Sequence, residues 1–581
     1  MKTLSKNIVG LLLVCLLGLM TSCTDFLKEE PLGQIMSDRA FEKPSDIDGA
    51  VNILYRQFGR SQFGITEFIM SMMGDDISTH IASNKAMIRE WDLWNISTGN
   101  DRLQWNWEAK YLTIKAANFI INGVESTPGA SREDIDYALG QAHYLRAYQY
   151  FCLVRAFGPL PKIETLEIDF SIGLSTVAEI YEMIVSDLKI AEEKLLANYS
   201  GSPKTMNGWN VVATKGAAQA TLSLVYMTMA GWPLELGTEY YRLAAAKALD
   251  FIDNSAYRVS LFEEPWMIHS RRYNWENKEC IFGSYFSLTW GTGDGSESAR
   301  GAINDIPDCT PNAWTDNRAE IGFFTKFPEG PRKNATYAQW VNFGGSEANG
   351  WIYYRWWDER LPDVNRSPYF AKSAFISDPN RSNLTEYDHR KNYDSQGNGW
   401  TEQTHVGIRL AEVYLWYAEA VGRSGETNAR AIEMLNRVRN RADGFGPVAD
   451  RSTVAEPYEG HTEQYTNVYP NNMSANELAE AAWTEHGWEI AGWAWGALEF
   501  RAHDLHRMNR MREAYEERKS NPEYFFTDPD TGEIIRVREM FSTMSGDSWR
   551  DSKMFAPYPA EEIERNPGLN VLPEEKFGLI K

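Results

Sequence analysis

Between Glu133 and Phe157 the side chains Ile135, Ala138, Leu139, Ala142, Leu145 and Tyr148 recur three and four residues apart, and Gly158-Pro159 closes the run. That spacing sets them on one stripe of an α-helix that must bury against a neighbour. Ser131 stands where an N-cap is needed, with Asp134 at the capping-box position in place of the preferred Glu or Gln. The same period predicts helices over Val177–Asn198, Asn210–Ala230 and Glu239–Ile252. The third is rich in Ala, which lets helices approach closely, and Gly231-Trp232-Pro233 ends it. Helices resume at Val406, where Leu410, Val413, Tyr414, Tyr417, Ala418 and Val421 share a face. Gly425 turns the chain, and Ala429, Ile432, Leu435 and Val438 form a second helix. Such a hairpin has about the length of a tetratricopeptide unit, ~34 residues, although no clean repeat period is visible. The fold class is therefore mostly α, with tetratricopeptide-like hairpins as a scaffold.

From about Tyr257 to Trp400 the character changes. Gly, Asn, Asp, Pro and Trp dominate, which predicts loops and short strands inserted in the helical scaffold. A weakly structured stretch of that length is uncommon in a compact domain unless it carries function. A further helix is predicted from Glu477 to about Met511. Asp528-Pro529-Asp530-Thr531-Gly532 reads as a hairpin turn and not a calcium loop, because the later ligands are missing.

The N-terminus belongs to export. Lys2 and Lys6 give a positive start, and Ile8 to Leu19 is an apolar run too short to span a bilayer, which takes ~20 residues. Thr21 and Ser22 lead into Cys23, a pattern that resembles a bacterial lipobox, with Met20 where Leu is usual. The expectation is cleavage before Cys23, lipid on its thiol, and a polar leash after it. Several acyl chains on one Cys suffice for stable attachment. The expected organisation is a signal at 1–22, a lipidated tether at 23–40, an N-terminal helical region at 41–256 and a C-terminal region at 257–581 containing the aromatic-rich loops 257–405.

Charge and chemistry narrow the function. With 80 Asp and Glu against 58 Lys and Arg the net charge is −22, which argues against nucleic acid as a partner. Beyond Cys15 and Cys23 only Cys152, Cys280 and Cys309 remain, which is no disulfide framework, and Cys152 reads as a small core residue. No metalloprotease, nucleophile-elbow or phosphate-loop pattern occurs, and neither cofactor nor metal is expected. His503 and His506 read as an ordinary polar helix face.

Several motifs in order are similar to the SusD/RagB family of surface lipoproteins from Bacteroidetes-type bacteria. They are Trp107 with Tyr111, Ile114, Ala117 and Asn118; the stretch Leu145 to Pro161; Thr214 to Ala220; Tyr417-Ala418-Glu419-Ala420 with Leu435 to Ala442; and Tyr558 to Ile563 followed by Asn566-Pro567-Gly568-Leu569. One segment departs. Glu485, Glu489 and Ile490 fit the first half of a family pair and Arg501, Asp504 and Leu505 the second, with Gly492-Trp493-Ala494-Trp495-Gly496 as an insertion between them.

The resemblance implies a non-catalytic outer-membrane lipoprotein facing the cell exterior. It implies a SusC-type TonB-dependent barrel as partner, and capture of an oligosaccharide, or in some members a peptide, for import. A surface glycoside hydrolase is the reading from another class, and no catalytic motif supports it. With 21 Trp in the chain, flat rings for sugar faces are abundant. The family places ligand aromatics in the early and middle loops, which points to Trp91, Trp94 and Asn95, then Tyr285, Trp290, Trp314 and Trp351. Each of these positions fits a core residue as well as a binding residue.

Overall fold

The computed structural model describes residues 40–581 apart from 63–68, 263–264, 266–267, 269–276, 286–298, 301–316, 347–349, 364–365, 371–399, 402–403, 444–467, 493–496, 529–530 and positions 82, 168, 207, 339 and 547. The signal segment, Cys23, Trp290 and Trp314 lie outside the described residues.

Helices α1 (Ser45–Ser61), α2 (Asp101–Gly123), α3 (Arg132–Phe157), α4 (Val177–Lys194), α5 (Lys215–Ala230), α6 (Thr238–Ile252), α7 (Leu410–Arg423), α8 (Ala429–Ala442) and α9 (Ala475–Ile490) form the scaffold. They pack in a row. α1 lies on α2, α2 on α3, α3 on α4, α4 on α5, α5 on α6, α6 on α7, and α7 on both α8 and α9. Consecutive helical hairpins stacked this way bury a continuous core, as in tetratricopeptide arrays. α3 sits in the middle and is buried on nearly every side from Tyr137 onward.

Caps explain most boundaries. The Ser131 hydroxyl accepts the Asp134 amide at 3.1 Å, starting α3 where the sequence predicts. Thr214 accepts the Ala217 amide at 3.2 Å, so α5 begins there and not at Asn210. α4 stops at Lys194, short of the predicted Asn198, because Leu195 turns extended and buries against Gly140. Val406 belongs to a strand and not to a helix. β6 (His405–Arg409) pairs antiparallel with β2 (Cys280–Ser284) just before α7.

Further short antiparallel strand pairs include β1 (Ile77–Thr79) with β3 (Asn317–Ala319), β4 (Trp340–Ser346) with β5 (Gly350–Arg355), and β7 (Glu523–Thr527) with β8 (Ile534–Arg538). The β7–β8 hairpin matches the expected turn, and Asp528 there accepts the Trp357 indole N–H at 3.0 Å. The single helix expected over Glu477–Met511 is corrected. α9 ends at Ile490, Gly492 takes φ +66°, and the chain resumes as α10 (Arg501–Arg507) and α11 (Met511–Ser520). A Cβ on Gly492 would fall 2.1 Å from the Phe370 ring, so glycine is required at this break.

The motif residues turn out to be fasteners. Glu419 and Asp504 each accept from Arg507 at 2.7 Å, and Glu489 and Glu279 share Arg409 and Arg441, all buried. Tyr558 donates to the Pro159 carbonyl at 2.6 Å, Asn566 to that of Ile172 at 2.9 Å, and Lys576 to those of Phe157 and Ala556. The C-terminal tail is thereby sewn to the end of α3. Cys152 is buried as expected. His503 and His506 are also buried, which corrects the polar-face reading, and burial holds His506 at about 3.

Candidate functional site

α11 carries Arg518 into the interior, and its guanidinium gathers distant segments. It donates to the Gly74 and Ile77 carbonyls at 3.1 and 2.9 Å and to Asp92 and Glu320 at 2.8 and 3.1 Å. It lies 3.8 Å over the Phe541 ring and 5.6 Å over that of Trp94. Asp92 uses its other oxygen to accept the Thr79 amide and hydroxyl at 2.8 and 2.9 Å. β1 and β3 therefore meet over one buried cation, with Ile77 opposite Ala319 and Thr79 opposite Asn317.

Next to this node a cleft of about 220 Å³ opens between α9, α11 and the short helix Ile321–Lys326. Trp483 forms its inner wall, with Arg501 4.1 Å from its ring and Arg510 4.6 Å. Arg501 is fixed by Asp75, donating Nε and Nη2 to the carboxylate at 2.8 and 3.2 Å. Gly487 makes room, since a Cβ there would stand 3.0 Å from Arg501 Nη1. Half-buried Trp488, Phe323 and Tyr524 also line the cleft, together with Thr484 and the Lys326–Glu517 ion pair. Behind it Asp76, buried beside Asp75, is pushed up to about 7 by desolvation and by its neighbour's charge. At the other end of β1 burial and the cations Arg318, Lys85 and Arg89 lower His80 to about 4.

Flat rings next to fixed donors and acceptors suit a ligand with an apolar face and a polar rim. Among the described residues no group of three His, Cys, Asp or Glu is placed to hold a metal ion.

The expected ring platforms fare unevenly. Trp91 and Trp94 are corrected, because they are 0% and 2% exposed and present no face to a ligand. Trp94 packs edge-on against Tyr515, Phe541 and Trp549 and supports Arg518 from below. Asn95 is exposed. Tyr285 is half-buried at the end of β2, where its hydroxyl donates to the Asn210 carbonyl at 3.2 Å, away from the cleft. Trp351 stands opposite Gly345 in the β4–β5 pair.

Sequence reasoning missed Trp483, Trp488 and Arg510. The signal was a glycine inside a helix beside two tryptophans, which marks a notch between rings. It also missed Trp105, 46% exposed on α2 with Arg102 stacked 4.5 Å above it.

A row of helical hairpins bearing a cleft walled by rings and rimmed by charge is a binding scaffold. Residues 25–227 match a family model described as SusD-like, starch-binding and associating with the outer membrane, and residues 338–574 match the SusD family model. The SusD-like protein P2 of Formosa agariphila is 23% identical over 446 residues, which is 74% of this chain and 80% of that one. A SusD homolog from Bacteroides thetaiotaomicron superposes with TM-score 0.70 at 17% identity, covering 92% of this chain and 97% of that one. A structure solved with xylogluco-oligosaccharide superposes with TM-score 0.64 at 19% identity, covering 91% and 98%. The chain belongs to the SusD/RagB family, whose members are glycan-binding proteins and not enzymes. Among the described residues no helix is long and apolar enough to cross a membrane.

Proposed function

We propose that this chain is a lipid-anchored protein of the outer cell surface that captures an oligosaccharide and passes it to a SusC-type TonB-dependent barrel for import. Membership of a glycan-binding family, matched in both halves of the chain, carries this reading. The fold shared with a protein solved with xylogluco-oligosaccharide supports it. The cleft at Trp483, Trp488 and Arg510 supplies a place, with rings for the C–H faces of a sugar and Asp75, Thr484, Arg510 and Glu517 for its hydroxyls.

The test is a glycan panel read by calorimetry on chain lacking residues 1–23. Saturable binding without release of product is expected. No binding to any glycan, with binding to a peptide mixture, would replace the sugar by a peptide, which the paired cations and carboxylates of the cleft also suit. Isolation of the full chain from membranes together with a TonB-dependent barrel tests the transporter half of the reading separately.

A further inference from the structure

A groove larger than the cleft lies far from it in sequence. About 610 Å³ in volume, it runs along α2 between Trp107 and Lys115 and is closed on its other side by residues 161–167, 169–170 and 172 and the tail at 562–569. Its lining is mainly apolar, and two of its side chains are left in water. Phe170 is 59% exposed and Leu112 47%. A concave, mainly apolar surface with two open side chains is a seat that an apolar segment can cover.

The entry of the chain points to one. Phe41, at the beginning of the described residues, is buried with its ring 5.3 Å from that of Phe119. It also fills the space over Gly123, where a Cβ would fall 2.6 Å from its ring. The polypeptide therefore arrives at the C-terminal end of α2. Phe119 and Lys115 are one turn apart, about 6 Å along the axis, so the groove begins beside the point of entry. Residues 23–39 precede that point, and extended they reach roughly 55 Å, several times the length of the groove. They carry Phe26, Leu27, Pro31, Leu32, Ile35 and Met36. A leash that served only as a polar spacer would have no use for so many apolar side chains. The match to the family model also begins inside it, at residue 25.

We propose that the segment Phe26–Met36 docks in the groove beside α2, burying Leu112 and Phe170. The free tether then shrinks to the few residues after Cys23, about 10 Å of chain. The leash would no longer let the domain tumble; it would hold the α2 face toward the membrane.

Hydrogen exchange on the lipid-free chain from residue 24 tests this against a variant with Phe26→Ser, Leu27→Ser and Leu32→Ser. Amides of residues 163–172 are expected to exchange about tenfold faster in the variant, while the unfolding midpoint of the helical core stays the same. Equal exchange in both proteins overturns the proposal. Protection of 163–172 that rises with protein concentration also overturns it, since a second copy would then be the occupant.

Discussion

Arg518 on α11 reaches Asp92 across 2.8 Å, and both side chains are buried. The same guanidinium meets Glu320 at 3.1 Å, so one cation holds two interior acidic side chains that sit on segments far apart in the chain. Desolvation pushes Glu320 well above the usual carboxylate range, and the charge of Glu539 adds to it. Arg518→Met leaves Asp92 without its cationic partner, with the Thr79 amide and hydroxyl still donating to it. The expected cost is roughly 3–5 kcal/mol in urea unfolding, the range for breaking one side of a buried pair. Asp92→Asn combined with Arg518→Met should cost clearly less than the two single changes added together. A single-variant cost below about 1 kcal/mol would show that the node does not hold β1 to β3.

Burial separates two tryptophans that look alike in sequence. Trp488 is half-buried at the cleft, whereas Trp94 is 2% exposed under Arg518. Trp488→Ala is expected to weaken glycan binding by about 2 kcal/mol, roughly thirtyfold, with little change in stability. Trp94→Ala should instead lower stability by about 3–5 kcal/mol. Calorimetry and urea unfolding on both variants check this. Full affinity in Trp488→Ala would remove the cleft from the binding reading.

The scaffold was legible because an amphipathic helix writes its period into the chain, and α3, α5, α6, α7 and α8 follow from that period, with side-chain caps at Ser131, Thr214 and Asn428 fixing the starts of α3, α5 and α8. The break after Ile490 is also written there, in Gly492, although the apolar pattern on either side reads as one helix. The site was less legible. Trp91 and Trp94 fall in the right part of the chain, but ring identity does not tell a platform from a support. What decides is that α11, more than four hundred residues later in the sequence, places Tyr515 and Arg518 over Trp94. The cleft itself depends on Asp75, Trp483 and Arg501 converging from three segments, a contact that no local pattern encodes.

The anchor gives a test that does not depend on the ligand. With lipid on Cys23 the chain should sediment with outer membranes and resist a high-salt wash, since acyl burial and not charge holds it. Cys23→Ala should move it to the soluble fraction with its glycan affinity intact. Membrane retention of that variant after a salt wash would refute lipid attachment at this position.

Asp76 makes a prediction about pH. It is 2% exposed, accepts the Gly492 amide at 2.7 Å, and is held at about 7 against an ordinary value of 3.8. Raised in the fold, it binds its proton more tightly there than in the unfolded chain. Its contribution to stability is then complete below about pH 4 and is lost as the pH rises through 7. Asp76→Asn keeps the shape and an acceptor for Gly492 but cannot ionise. Relative to this variant the native chain should lose stability between pH 4 and 7 by roughly 2–4 kcal/mol. Glu412 and Glu499 are also held at about 7 and slope the same way, but they are present in both proteins and cancel in the difference. Urea unfolding of the two proteins at pH 4, 5.5, 7 and 8 measures it. A difference that stays constant with pH would show that Asp76 is ionised in the fold throughout, with Arg501 outweighing its burial.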